Sequence, residues 1–481
     1  MYQEKWKPDP TSSVPLFQQI FQFIKEKIRH GDWTVGTKLP AQRELAREFG
    51  VNRSTVVAAL EELKAEGLIE GKYGAGTRVS SQTWQTLSPP PPDWNTYVQQ
   101  GVHHPNLRTI QEINKAEFYP NTVRLGTGEL APELLPIQQI RELFKHAPQK
   151  LDLGYEDPRG NRQLREEIQA HVRQRGILTS TSSILIVSGA LQALQLIALG
   201  LLARDSTILL ERASYLQSVH VFRSAGMKLC GIPLDEQGIM PSALNKLKQL
   251  HQAAMLYVNP SFHNPTGIVS GEKRRSEILE VCQQMMLPIV EDDTYADLWL
   301  AEPSPAALKA IDTQGLVLYL GSMSKALSAG LRIGWVIGPE PVIERLADIK
   351  MQMDYGSSSL SQWVVTQFLS SSLYKQQLTY VREQLRMRRE KALEALEHYF
   401  EKIATWNIPQ GGFYIWLQIK GSVPMRQVFE KALKEGVLIN PGYLYDRYDN
   451  THIRLSYAYA APLELENGLA ILAKVIKEFS K

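Results

Sequence analysis

The sequence predicts a multidomain protein: a small helical N-terminal unit closed by a β-hairpin, then a larger α/β domain with a smaller C-terminal α+β subdomain. Three observations carry this. At 481 residues the chain exceeds the roughly 250 to 300 at which one core stops growing, so two or more domains are expected. Apolar residues recur at helical spacing near the N-terminus, whereas from about Val123 onward short apolar runs alternate with helical patterns. Between the two, the periodicity dissolves around the proline run Pro89 to Pro92.

Within residues 14–80, Leu16, Ile20, Ile24 and Ile28 recur every four positions and give a first helix one apolar stripe, with Gly31 just past its end. A second helix runs from about Ala41 to Phe49, with Leu45 and Phe49 on one side and Gly50 placed to end it. Asn52 is the expected cap of a third, which turns Val56, Leu60 and Leu63 inward and ends at Gly67. Leu68-Ile69-Glu70 and Thr77-Arg78-Val79 are strand-like pieces around Tyr73-Gly74-Ala75-Gly76. Three helices and a hairpin make a winged helix-turn-helix.

Residues 81–122 read as a linker, although Trp84, Trp94 and Tyr97 argue that part of it packs on a domain. A random coil of about 40 residues spans roughly 35 Å, about one turn of DNA. Over 123–481 the expected strands are Ile184 to Val187, Thr207 to Leu210, Met255 to Val258, Pro288 to Val290 and Val317 to Leu320, in a mostly parallel sheet. After about Pro341 a long helical stretch leads to Gly411 to Leu417 and His452 to Ser456, the smaller subdomain. There is no internal repeat.

Lysine plus arginine number 53 against 50 acidic residues, so any contact with nucleic acid must be local rather than a matter of bulk charge. Cys230 and Cys282 are too few for a disulfide framework and lack metal-ligand spacing, which reads as two reduced thiols in a cytoplasmic protein without a metal. No apolar run approaches the ~18 residues of a spanning helix, and an N-terminus with Glu4, Pro8 and Asp9 lacks a signal-peptide core. No membrane partner is expected.

The chemistry concentrates in Gly321-Ser322-Met323-Ser324-Lys325 and the following residues to Trp335. A lysine amine at a strand end, among hydroxyl residues and an arginine, matches what pyridoxal 5'-phosphate needs: an amine for the aldehyde, donors for the phosphate, a carboxylate for the pyridine nitrogen and a flat group on the ring. Alone, Lys325 reads as a solvated charge. Its companions change that. Asp292 follows an apolar strand and can keep the pyridine nitrogen protonated; Asn264, in a turn after another strand, can bond the ring hydroxyl. Gly189 and Ala190 open a helix whose free N–H groups and dipole favour a phosphate. Separately, each also reads as a turn, a cap or a surface acid.

The stretch from about Arg124 to Ser480 resembles a fold-type I aminotransferase, through Ser-x-Ser-Lys-x-x-x-x-Gly-Leu-Arg at 322–332 and the Asn-Pro-x-Gly turn at 264–267. The resemblance implies that Lys325 forms the Schiff base, that Asp292 partners the pyridine nitrogen, and that Tyr295 and Asn264 bond the ring hydroxyl. It gives the phosphate to Ser322, Ser324, Arg332 and the backbone of Gly189 and Ala190. Tyr215 matches the ring-stacking aromatic, with Arg212-Ala213-Ser214 where the family has a proline-containing turn. Arg454 matches the arginine that grips a carboxylate. Tyr155 matches a tyrosine that reaches the partner subunit's phosphate, which implies a dimer.

Residues 14–80 resemble a GntR-type winged helix in Lys38 to Ala46, Asn52 to Val56 and Gly74 to Thr77, with Ala41 where the family usually has serine. Arg43, Arg53, Ser54 and Thr55 stand where two helices begin, the place for phosphate and major-groove contacts, and Lys72, Gly76 and Thr77 fall on the wing. Such domains also serve as protein-interaction modules.

The two halves in this order resemble the MocR/GabR family of bacterial transcription regulators over nearly the whole chain. Membership implies a domain-swapped homodimer that binds double-stranded DNA and senses an amino compound, or the cofactor itself, through Lys325. The rival is a working aminotransferase with an accessory winged helix; the regulator reading expects net amino transfer to be absent or slow. Arg454 points to a carboxylate on the effector, whereas Arg212 and Arg223, near Tyr215, fit a second anchor or surface charges equally.

Overall fold

The computed structural model describes residues 6–72, 76–80, 94–101, 105–147 and 154–480. It divides into two units, Met1–His103 and His104–Lys481.

In the first unit, α1 (Leu16–Arg29) buries Ile20, Ile24 and Ile28 against α2 (Gln42–Phe49) and α3 (Arg53–Ala65). Gly50 ends α2 in the left-handed region at φ 68°, which glycine adopts without a Cβ clash. Asn52 does hold the cap position of α3, but its side chain makes no capping bond. Glu44 Oε2 accepts from the Ala41 backbone N–H at 3.1 Å, half of a reciprocal cap that alanine has no oxygen to complete. β1 (Ile69–Lys72) and β2 (Gly76–Val79) pair antiparallel with Ile69 opposite Val79; the tip, 73–75, lies outside the described residues. Order begins before residue 14: Trp6 stacks on Phe23 with ring centroids 4.1 Å apart and meets Phe49 edge-on.

The span 81–122 differs from a plain linker. Its residues 81–93 and 102–104 lie outside the described set, but α4 (Trp94–Gln100) and α5 (Arg108–Ala116) are helices. Trp94 and Tyr97 are exposed and pack on each other, while Trp84 falls outside the described residues. α5 buries Thr109, Ile113 and Ala116 in the core of the second unit. These positions, i, i+4 and i+7, form one stripe of a helix too short to stand out among polar neighbours.

The second unit is built on a seven-stranded sheet. Its strands are β3 (Ile184–Val187), β4 (Thr207–Glu211), β5 (Lys228–Ile232), β6 (Ala253–Val258), β7 (Ile289–Asp292), β8 (Val317–Ser322) and β9 (Gly334–Ile337), in the order β3-β9-β8-β7-β6-β4-β5. The five expected strands are all present, each within a few residues. β5 and β9 were not expected: β9 directly follows the lysine loop, and Cys230 and Gly231 interrupt the apolar run of β5. β9 runs antiparallel to both neighbours, and the other pairs are parallel. α6 (Ala190–Leu201) covers one face after β3.

The smaller subdomain carries β10 (Ala404–Trp406), β11 (Tyr414–Ile419), β12 (Asn440–Pro441) and β13 (His452–Ser456), ordered β10-β11-β13-β12 and backed by α7 (Leu373–Phe400) and α8 (Pro462–Phe479). Val123 and Arg124 pair parallel with Val437 and Leu438, which ties the segment after α5 to this subdomain. Among the described residues no helix is long and apolar enough to cross a membrane.

Candidate functional site

β6, β7 and β8 run parallel, so their carboxyl ends deliver the segments that follow them to one side of the sheet, where ligands of open α/β sheets collect. A cavity of about 270 Å³ opens there. Ten of the sequence-derived residues line it: Ala190, Tyr215, Asn264, Asp292, Tyr295, Ser322, Ser324, Lys325, Arg332 and Arg454. They come from six separate stretches of chain.

Asp292 ends β7 and is buried. Its Oδ2 accepts from Tyr257 OH at 2.7 Å and its Oδ1 from the Thr294 N–H at 3.2 Å. Burial raises its carboxyl above the usual range, against the pull of those two bonds. Lys325, in the turn after β8, donates from Nζ to Gly128 O at 2.6 Å and faces the Tyr295 ring. Tyr295 OH and Tyr414 OH are 2.9 Å apart.

Asn259 organises the turn that carries Asn264. Its Nδ2 donates to Asp292 O at 2.5 Å and its Oδ1 accepts from the Asn264 N–H at 2.9 Å. Its own N–H donates to Glu211 Oε1 at 2.6 Å. Glu211, at the end of β4, and His263 are both buried, with His263 Nε2 4.0 Å from Glu211 Oε1. Burial pushes the carboxyl up to about 8 and the imidazole down to about 3, so the pair is neutral near pH 7. Tyr215 starts a short helix, its N–H donating to Asn264 O at 3.2 Å; burial raises its hydroxyl to about 12. The turn without proline therefore still delivers the aromatic to the cavity.

Arg332 reaches the start of α6. Arg332 Nη2 donates to Ser188 O at 2.7 Å and its Nη1 reaches Ser324 Oγ at 3.4 Å, while Ser322 Oγ accepts from the Ser324 N–H at 3.1 Å. Gly189 precedes α6 at φ 91°, and a Cβ there would stand 2.3 Å from Arg332 Nη2. Arg454, on β13, is buried between Tyr414 and Tyr445. Its Nη1 donates to Asn264 Oδ1 at 2.8 Å and its Nη2 to Gly126 O at 2.6 Å.

Tyr155 is not among the cavity residues of its own chain. It is 84 % exposed and packs on Tyr355, with ring centroids 4.9 Å apart. Arg212 pairs with Asp446 at 2.8 Å and Arg223 bonds Gln217, and neither lines the cavity. Sequence reasoning missed Tyr257, Asn259, Thr294, Tyr414, Glu117 and Glu129. For Tyr257, Asn259 and Thr294 a signal existed, since they flank strand ends already singled out; Glu117 and Glu129 carried none.

On the first unit, Arg43, Arg53 and Ser54 are exposed and Thr55 is half-buried, all in the first turns of α2 and α3. Arg53 Nε and Nη2 donate to Gln42 Oε1 at 3.2 and 2.9 Å, so the two helix starts are joined. Gly76 and Thr77 open β2, and Lys72 ends β1 opposite Gly76. The backbone of Gly76 passes the Lys38 side chain, which a Cβ would meet at 3.0 Å.

Residues 16–79 match the model of bacterial regulatory proteins of the gntR family, and residues 120–472 that of aminotransferase class I and II. The chain is 52 % identical over 475 residues to the HTH-type transcriptional regulator YisV of Bacillus subtilis, covering 98 % of each. It is 32 % identical to the HTH-type transcriptional regulator NorG of Staphylococcus aureus over 92 % of this chain and all of that one. Among solved structures, a kynurenine aminotransferase of Pyrococcus horikoshii in complex with PMP superimposes with a TM-score of 0.75 at 28 % identity, over 79 % of this chain and 96 % of that one. LysN, an α-aminoadipate aminotransferase of Thermus thermophilus complexed with N-(5'-phosphopyridoxyl)-L-leucine, does so with a TM-score of 0.73 at 27 % identity, over 81 % and 99 %.

Proposed function

The chain belongs to the family of bacterial regulators that join a gntR-type helix-turn-helix domain to a class I and II aminotransferase domain, the MocR/GabR type, and from that premise we propose that it is a DNA-binding transcription regulator that holds pyridoxal 5'-phosphate at Lys325 and senses an amino compound there. The observation that carries this is the convergence of Lys325, Asp292, Asn264, Arg332 and Arg454 on one cavity in a chain that also carries a winged helix.

The residues fit the cofactor. Gly189 has no Cβ, so Arg332 lies directly against the start of α6, and the two together make an anion site of backbone N–H groups and a guanidinium. Asp292, held by Tyr257 and Thr294, is placed for a protonated ring nitrogen, and that partner would draw its carboxyl back to the ionised form. Tyr215 offers a ring face, and Tyr295 and Asn264 offer bonds to the ring hydroxyl. When bound, pyridoxal 5'-phosphate supplies an aldehyde that forms a Schiff base with an amine, either that of Lys325 or that of an effector.

Arg454 receives the effector's carboxylate. Asn264 Oδ1 and Gly126 O hold its guanidinium in place beforehand, and the Tyr414 and Tyr445 rings exclude water from it. Arg43, Arg53, Ser54 and Thr55 take DNA phosphates and base edges, with Lys72, Gly76 and Thr77 on the wing. Tyr155 and Tyr355 form an aromatic surface patch that suits a partner subunit, in keeping with a homodimer in which each Tyr155 serves the other's phosphate site.

The test is a pair of assays on the purified, cofactor-loaded protein. Binding to DNA from beside its own gene should be specific and should change when an amine is added, while steady-state amino transfer across amino and keto acids stays negligible. Rapid multiple turnover without specific DNA binding would overturn the proposal in favour of an aminotransferase. DNA affinity that follows cofactor concentration and ignores every amine would make the cofactor itself the signal.

A further inference from the structure

Six charged side chains line the cavity. Four have counterparts in the reading above: Lys325 the aldehyde, Arg332 the phosphate, Asp292 the ring nitrogen and Arg454 a carboxylate. Glu117 and Glu129 are left over, and among the described residues neither forms an ion pair.

Glu117 is half-buried directly after α5, and its Oε1 accepts from Thr127 Oγ1 at 2.9 Å. Thr127 sits between Gly126, whose carbonyl accepts from Arg454 at 2.6 Å, and Gly128, whose carbonyl accepts from Lys325 at 2.6 Å. Successive Cα atoms stand about 3.8 Å apart, so Gly126 and Gly128 are at most about 7 Å from each other. The carboxylate of Glu117 therefore stands beside the line from the carboxylate anchor to the amine anchor, and Glu129 is the next residue along. Arg454 is 5 % exposed and its Nε has no partner, a buried donor left for an anion. Among the described residues a second anion finds no further cationic partner in the cavity: Arg212 is engaged by Asp446 and Arg223 by Gln217, and neither lines it. A cation beside Glu117 would also face the carbonyl end of α5, where a helix favours positive charge.

We propose that the effector is an α-amino acid whose side chain ends in a cation, read by Glu117 with Glu129 beside it. This rests on the amine-sensing reading of the same site. Because Glu117 is the residue that follows α5, the first helix of the second unit, the same contact places the effector's charge on the segment that leads in from the linker.

The experiment titrates cofactor-loaded protein with amino acids matched in length, L-lysine against L-norleucine and L-ornithine against L-norvaline, with L-glutamate as the acidic arm, following the cofactor's visible band. The basic member of each pair should bind about tenfold more tightly at low salt, and the gap should narrow as salt rises. E117Q should bring lysine close to norleucine, and E117Q with E129Q should abolish the preference, the visible band serving as the check that the cavity has formed. Equal binding of lysine and norleucine, tighter binding of glutamate, or a preference that survives the double substitution would overturn the inference. The isostere comparison and its salt dependence use the unaltered protein, so they decide even if E117Q does not fold. A band that no amine moves sinks the amine-sensing reading and this inference with it; a band that neutral and basic amino acids move alike sinks this inference alone.

Discussion

In the N-terminal unit the buried side chains are apolar, with Ser80 the one polar exception among the described residues, and Arg43, Arg53 and Ser54 stand in solvent. In the second unit the reverse holds around the cavity: Glu211, His263, Asn264, Asp292 and Arg454 are all buried, and each meets a neighbouring side chain or backbone group. The residues proposed to meet DNA thus lie on the surface of a core that ignores them. The residues proposed to hold the cofactor and effector lie in the interior of the aminotransferase-like unit, where each charge must be met by a specific partner or desolvation dominates. Substitution should therefore separate stability from function in the first unit and couple them in the second.

The largest expected effect is on the cofactor. Lys325→Ala should abolish the visible absorbance of cofactor-fed protein and the covalent product of borohydride reduction; unchanged absorbance would refute the role given to Lys325. Next comes Arg454→Ala, which strips Asn264 Oδ1 and Gly126 O of a buried donor and opens space between two tyrosines. It should cost about 3 kcal/mol in denaturant unfolding, and a loss under about 0.5 kcal/mol would break the claimed coupling. Gly189→Ala places a Cβ against Arg332 at a left-handed φ, so it should weaken cofactor binding by roughly tenfold, read by equilibrium titration of the apoprotein.

A pH dependence sharpens the same contrast. Glu211 keeps its proton up to about 8 in the folded chain, whereas an unfolded glutamate loses it near 4.3. The stability it contributes is complete below the unfolded value and falls as pH rises towards 8, by at most about 1.4 kcal/mol per pH unit. His263 works in the opposite sense. Its folded value of about 3 lies below the usual 6.5, so its contribution is complete above 6.5 and is lost as pH falls towards 3. Glu211→Gln keeps an acceptor for the Asn259 N–H and should flatten the loss between about pH 5 and 8 in urea unfolding; an unchanged slope would place the proton elsewhere. The smallest stability effect belongs to the first unit. Arg53→Ala should shift unfolding by under about 0.5 kcal/mol, yet weaken DNA binding severalfold and lower its salt slope by about 1.

Much of this contrast was legible in the chain. The winged helix is a local structure, so the four-residue spacing of Ile20, Ile24 and Ile28 and the glycine after α2 were enough to place its elements. β4, β6, β7 and β8 were equally readable, because strands buried on both faces are continuous apolar runs. Most of the residues proposed to hold the cofactor could be picked out because they lie at or just after the end of a buried strand. β9 and α5 were not, because one directly continues a functional loop and the other is short and largely polar.

By itself the sequence determined which residues could meet an aldehyde, a phosphate and a ring nitrogen, since that chemistry depends on residue type next to strand ends. Only the tertiary structure decided what stands beside them. Glu117 lies far from Lys325 along the chain and is anonymous among acidic neighbours, and it enters the cavity because α5 packs on the core and Thr127 holds its carboxylate. Burial of Glu211 beside His263 is likewise a property of the packed sheet, and burial is what moves their protons.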